Sequence, residues 1–253
     1  MKKPSLRQRL GKEPLLGVLS SVDSPELVET LGYMGVDFFI ADGESAIVSH
    51  TALSNLVRAG NLAGIPVLFR TPIPNDPRML GPYLGTGISG LLIPDVESPA
   101  RLTEIVRAVR FPPHGTRSAG ACQATDYGLT GSMAAFEAEE NERFVVIAQI
   151  ESQAGVDAVE DIISVPGVDA VNVGTRDLAN NLGLRGDVNH PQVKESVAKV
   201  RTAMKGSPVV FCQVLRNDQE VESGMAEGSM MFLLMTVPLL NFGLKPFLKH
   251  LKH

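Results

Sequence analysis

Short runs that are apolar at successive positions alternate along the chain with stretches in which apolar residues recur every three or four positions. The runs are Leu15 to Leu19, Val36 to Ala41, Pro66 to Arg70, Gly90 to Pro94, Phe144 to Ile150, Val168 to Val173, Pro208 to Gln213 and Met230 to Leu234. A strand with one wet face alternates polar and apolar residues; a run without that alternation suits a strand covered on both faces, as in a parallel sheet under helices. Helix starts are legible between the runs. Ser24-Pro25-Glu26 and Ser98-Pro99-Ala100 each set a capping serine before a proline, whose fixed φ suits the first helical position. Eight βα units in series, about 25 to 30 residues apart, predict one (β/α)8 TIM barrel filling residues 1–253, with a doubly wound open sheet as the alternative.

Composition narrows the picture. With 44% hydrophobic and 20% charged residues, the chain has the make-up of a globular protein with a sizeable core. A formal net charge of -5 and the lack of any long basic run argue against nucleic acid and favour small-molecule partners. The basic start, Met1 to Arg9, is followed by no apolar h-region, so neither a signal peptide nor a membrane span is expected and a cytoplasmic location is. Cys122 and Cys212 have no CxxC spacing and read as free thiols, in the core or a pocket wall. The longest irregular stretch, Phe111 to Gly131, has the length at which loops are usually functional. The tail from Asn241 to His253 alternates apolar and basic residues and reads as a last amphipathic helix that packs on something.

In a (β/α)8 barrel the active site lies where the strands end, so polar residues that close an apolar run are the first candidates. Here they are Asp42-Gly43-Glu44, Arg70, Asp95 and Glu97, Gln149 and Glu151, and Gly174-Thr175-Arg176-Asp177. Glu151 and Asp177 supply two carboxylates from neighbouring strand ends, which with water and substrate oxygens would complete an octahedral site for Mg2+, Mn2+ or Co2+. Arg70 adds a planar cation suited to a carboxylate or an enolate oxygen. A metal that polarises a 2-oxo group and an arginine that steadies the developing enolate are what carbon–carbon bond chemistry beside a carbonyl requires. Taken singly, each charge could equally cap a loop or join a surface ion pair. The turn from Gly174 to Asp177 could receive a substrate carboxylate on its backbone N–H groups. No Walker A motif or strand-to-helix GxGxxG supports nucleotide binding.

These residues carry a resemblance to the HpcH/HpaI aldolase family, the metal-dependent 2-oxo acid aldolases that include 4-hydroxy-2-oxoheptanedioate aldolase. It runs through Gly35-Val36-Asp37-Phe38, Asp42-Gly43-Glu44, Arg70, Leu92-Ile93-Pro94-Asp95-Val96, Phe111 to Arg117, Gln149-Ile150-Glu151-Ser152, Gly167-Val168-Asp169 and Gly174 to Leu178. It implies a barrel lyase that acts on a 2-oxo acid through a metal-stabilised pyruvate enolate. Glu151 and Asp177 would ligate the metal, Arg70 and Gln149 would lie at the substrate, and Gly174, Thr175 and Asp177 would bind its carboxylate. It also implies a homo-oligomer, a hexamer or trimer of dimers, with the C-terminal helix exchanged between subunits.

Two departures stand out. Where the family has a histidine base after Asp-x-Glu, this chain has Ser45, and where it has the aspartate that orients that histidine, this chain has Gly85. Serine at its ordinary pKa cannot replace imidazole as a base near neutrality. Three explanations follow: an aldolase that recruits His50, His114 or a metal-bound hydroxide; an oxaloacetate-type decarboxylase, which needs only enolate stabilisation; or a catalytically impaired 2-oxo-acid-binding homologue. An acyl-CoA lyase related to the citrate lyase β subunit ranks below these. Arg176 stands where the family has a small or polar residue, and would either add positive charge at the site or turn outward into a salt bridge. His190, before Pro191, is expected to cap a helix, whereas His250 and His253 have no evident role.

Overall fold

The computed structural model describes residues 4–46, 48–73, 75–129 and 131–251. The basic Met1 to Lys3, Thr130 of the long irregular stretch, and Lys252 and His253 of the tail lie outside the described residues. Eight strands form a closed parallel barrel in chain order: β1 (Leu15–Ser20), β2 (Phe38–Asp42), β3 (Val67–Arg70), β4 (Gly90–Ile93), β5 (Val145–Ile150), β6 (Ala170–Val173), β7 (Val210–Val214) and β8 (Ser229–Met235). The β1–β8 pairing, with Leu15 opposite Met231, closes the ring and rules out the open doubly wound sheet. Each apolar run identified above holds one strand.

Side chains alternate across a strand, and that period of two builds the site. The barrel interior is filled by one buried cluster that includes Leu15, Leu19, Phe38, Ile40, Leu68, Leu92, Val145, Ile147, Ala170, Val210, Cys212, Met231 and Leu233. Gly17 is small of necessity, because a Cβ there would stand 2.1 Å from the Phe38 ring. Stepping two residues beyond the inward-facing Ile40, Leu68, Ile147 and Ala170 reaches Asp42, Arg70, Gln149 and Asn172. These four are buried and polar and sit at the C-terminal end of the barrel. A second apolar cluster fills the layer between sheet and helices.

Ser24 caps the helix Pro25–Tyr33, accepting from the Leu27 amide at 3.1 Å. Ser98 stands at the matching position before Pro99–Val109 but makes no side-chain cap bond. His190 does cap Pro191–Ala203, its Nδ1 accepting from the Gln192 amide. The short helix Leu6–Arg9 closes the base of the barrel with Leu6 buried in the interior cluster. The last helix, Thr236–Leu251, buries only Thr236 and leaves Val237, Leu240, Phe242, Leu244, Phe247 and Leu251 exposed. Among the described residues no helix is long and apolar enough to cross a membrane.

Candidate active site

Arg70, at the end of β3, is 6% exposed and organises the mouth. Its Nε donates to Asp42 Oδ1 and its Nη2 to Asp42 Oδ2, both at 2.8 Å. Nη2 also donates to Ser45 Oγ at 2.9 Å, and Nη1 pairs with Glu44 Oε2 at 2.7 Å. Asp42 and Ser45 thus take three of the five guanidinium N–H donors, on Nε and Nη2, while Nη1 faces Glu44 as an ion pair. Asp42 in turn accepts from the amides of Glu44 and Ser45, which ties the turn after β2 to β3. Burial alone would raise the Asp42 pKa; the bonds and charge of Arg70, with those two amides, outweigh it and hold Asp42 below its ordinary value.

Glu151 follows β5 and is 7% exposed. Its Oε2 accepts from the Asp95 amide at 3.2 Å, a contact made with Asp95 in the left-handed region at φ 54. Burial, reinforced by the charges of Glu44 and Asp177, pushes its carboxyl up to about 8, against the weaker pull of the Asp95 amide and Arg70. Glu44 is raised as well, by burial first. Gly174 leaves the space that the Glu151 carboxylate occupies, since a Cβ there would stand 2.1 Å from Oε1. Asp177 lies in the first turn of the helix Thr175–Asn181, which Gly174 precedes without a side-chain cap. Below the carboxylates, the side-chain oxygen of Gln149 is sealed from solvent with no hydrogen-bond partner.

Five carboxylates, those of Asp42, Glu44, Asp95, Glu151 and Asp177, thus crowd the mouth around Arg70, which pairs with Asp42 and Glu44. The donor set is all oxygen and surplus in negative charge, which fits a hard divalent cation at Glu151 and Asp177. Among the described residues no group of three or more His, Cys, Asp and Glu is arranged to hold an ion unaided. Of two clefts of about 560 and 450 Å3, one is lined by Gly85, Arg117 and Cys122 and the other by Thr175, Lys194 and Arg216.

The model of the HpcH/HpaI aldolase/citrate lyase family matches residues 16–236. The chain belongs to this family. The 5-keto-4-deoxy-D-glucarate aldolase of Shigella sonnei is 34% identical over 200 residues, covering 78% of this chain and 77% of that protein. The HpcH/HpaI aldolase from Desulfitobacterium hafniense DCB-2 superposes with a TM-score of 0.91 at 31% identity, over 98% of this chain and 97% of that one. The citrate synthase SbnG does so with a TM-score of 0.87 at 27% identity, over 98% of this chain and 97% of that one. This HpcH/HpaI member is accordingly placed among the carbon–carbon lyases that act on 2-oxo acids.

Among the described residues the mouth holds acids and Arg70, and no histidine is hydrogen-bonded or ion-paired to them. Ser45 is there, but its oxygen accepts from Arg70. Gly85 ends the helix Leu80–Leu84, and a Cβ there would meet Cys122 in the cleft that both residues line. His50 is exposed at the first position of the helix His50–Ala63. His114 is exposed in a turn bonded to Phe111, where Arg110 reaches the Phe144 carbonyl just ahead of β5, at the opposite end of the barrel from the mouth. Thr175 Oγ1 accepts from Arg216. Arg176 neither faces the carboxylates nor forms an ion pair among the described residues; it packs over Gly186 in the loop beyond its helix. Cys212 is buried inside the barrel, with its thiol pushed up to about 12 by burial. Reading the sequence did not single out Asp42 and Glu44 as the partners of Arg70, the Asp95 amide as the support of Glu151, or Asn172. The one signal for Asn172 was a lone amide inside the apolar run Ala170-Val171-Asn172-Val173.

Proposed function

We propose that Glu151 and Asp177 hold a divalent metal, Mg2+, Mn2+ or Co2+, and that Arg70 and Gln149 bind the 2-oxo acid whose carbon–carbon bond is cleaved. The observation that carries this reading is the surplus of acid at the mouth, with Glu151 buried, cradled by Gly174 and in no ion pair among the described residues. When bound, the metal supplies Lewis acidity that draws electrons toward the 2-oxo oxygen. Arg70 offers its Nη1 to the oxygen on which negative charge develops, held in aim by Asp42 and Glu44. Gln149 offers its amide nitrogen to the acid, and the turn at Gly174, Thr175 and Asp177 takes its carboxylate.

Cleavage leaves the bonding electron pair on C3, from which it delocalises into the polarised carbonyl. In a retro-aldol cleavage the 4-hydroxyl must also give up its proton; in loss of carbon dioxide from an oxaloacetate-type acid no such proton is moved. Ser45 does not serve as that acceptor, because Arg70 donates to its oxygen and stabilises no positive charge there. Aldolase-type lysis is the first reading, in line with the 34% identical aldolase. Decarboxylation is the second, favoured by Ser45. A citrate lyase β subunit of M. tuberculosis, solved with oxaloacetate and magnesium, has a TM-score of 0.61 at 17% identity, a likeness of fold alone, so an acyl-CoA lyase ranks lower. The test is deuterium uptake by the pyruvate methyl group, run with metal beside oxaloacetate decarboxylation. Metal-dependent activity in either assay supports a lyase, and exchange gained only in Ser45→His identifies imidazole as the missing part. Activity that survives chelation overturns the reading.

The exposed apolar face of Thr236–Leu251 supports a homo-oligomer in which a second copy covers this helix. Light scattering of Phe242→Asp with Phe247→Asp should then show smaller particles than the unaltered protein.

A further inference from the structure

Gln149 on β5 and Asn172 on β6 are register partners, and both point into the barrel one layer below Glu151 and Gly174. They are 5% and 0% exposed. The Asn172 orientation is determined: Nδ2 donates to the Cys212 carbonyl at 2.8 Å, and reversing the amide would set two oxygens face to face. Asn172 Oδ1 is therefore left without a donor, and so is Gln149 Oε1 on the neighbouring strand. Two adjacent acceptors cannot satisfy each other, and a sealed acceptor bears its full desolvation penalty.

We propose that one buried water lies between them, donating one hydrogen to Gln149 Oε1 and the other to Asn172 Oδ1. Two hydrogen bonds meet the lower bound for an ordered internal water. The consequence is directional. With its oxygen tied downward, Gln149 turns its Nε2 donors up into the mouth, the polarity that an oxo-acid carboxylate requires. Asn172 is thereby a positioning residue that acts through the water on Gln149, in a layer where barrels ordinarily carry apolar side chains. This step rests on the oxo-acid reading above; the water itself does not.

The test joins a high-resolution crystal structure of the full chain with oxalate binding in the presence of Mn2+. Density within about 3.2 Å of both oxygens is expected. Asn172→Leu should weaken oxalate binding about fivefold. In a Gln149→Leu background, adding Asn172→Leu should have no further effect. A direct bond from Gln149 Nε2 to Asn172 Oδ1 with no water between them overturns the proposal. So does unchanged oxalate affinity in Asn172→Leu, or a fall in melting temperature without a change in affinity. Failure of the unaltered protein to bind oxalate counts against the oxo-acid reading alone, and the density then decides the water.

Discussion

At the base of the barrel Asp169 is saturated. It accepts from Arg7 Nε at 2.6 Å and from the Val146 amide at 2.8 Å, with Arg110 Nη2 3.6 Å away. The two arginines also donate to the carbonyls of Asn141, Glu142, Phe144 and Gly167. At the mouth the balance is reversed. Arg70 is shared by Asp42 and Glu44, and Glu151 accepts only one backbone amide among the described residues. Both clusters are buried and ionic, yet the first is complete within the chain and the second is not. A closed cluster joins the N-terminal helix to β5 and β6. An open one with surplus negative charge is what a ligand completes.

Substitutions can break that contrast, beginning with the largest effect. Glu151→Gln should lower metal-dependent turnover by on the order of 10²–10³ or more, the scale for removing a preorganised electrostatic group. Its melting temperature should hold or rise, since a costly buried acid is gone; kcat/KM and thermal unfolding read the two effects separately. Asp169→Ala should do the opposite, costing about 3–5 kcal/mol in urea unfolding because the buried Arg110 and the half-buried Arg7 lose their partner, with turnover per folded molecule unchanged. A mouth that proved as sensitive in stability as the base would erase the distinction.

How far the sequence foretold this differs between the two ends. The strands were legible because the apolar runs have no alternation, and Glu151, Asp177 and Arg70 because each ends such a run. Pairings across long separations were not. Asp42 meets Arg70 from 28 residues away and Arg7 meets Asp169 from 162 away, distances over which no local pattern carries information. Ser98 shows that a capping residue in the right place need not form the cap.

Two smaller effects sharpen the account of the mouth. Gly174→Ala brings a Cβ against Glu151 Oε1, so metal affinity measured by Mn2+ titration should fall about 10- to 100-fold, the range for residues that support a ligand. The pH dependence follows from Glu151, whose carboxyl is raised from 4.5 to about 8 in the metal-free fold. A carboxyl raised by folding binds its proton more tightly in the native state, so the stability it contributes is lost as pH rises through that window. Metal competes with that proton. The rise in melting temperature on adding Mn2+ should therefore grow from acid pH toward pH 8; a rise of constant size would detach Glu151 from the metal.

The most direct test of the central claim is calorimetric titration of Mn2+ into the unaltered protein, Glu151→Gln and Asp177→Asn, each with and without pyruvate. The account predicts one metal site per chain in the unaltered protein, tighter when pyruvate is present and lost in both variants. Metal binding that persists in the two variants, or pyruvate binding that is indifferent to metal, would contradict it.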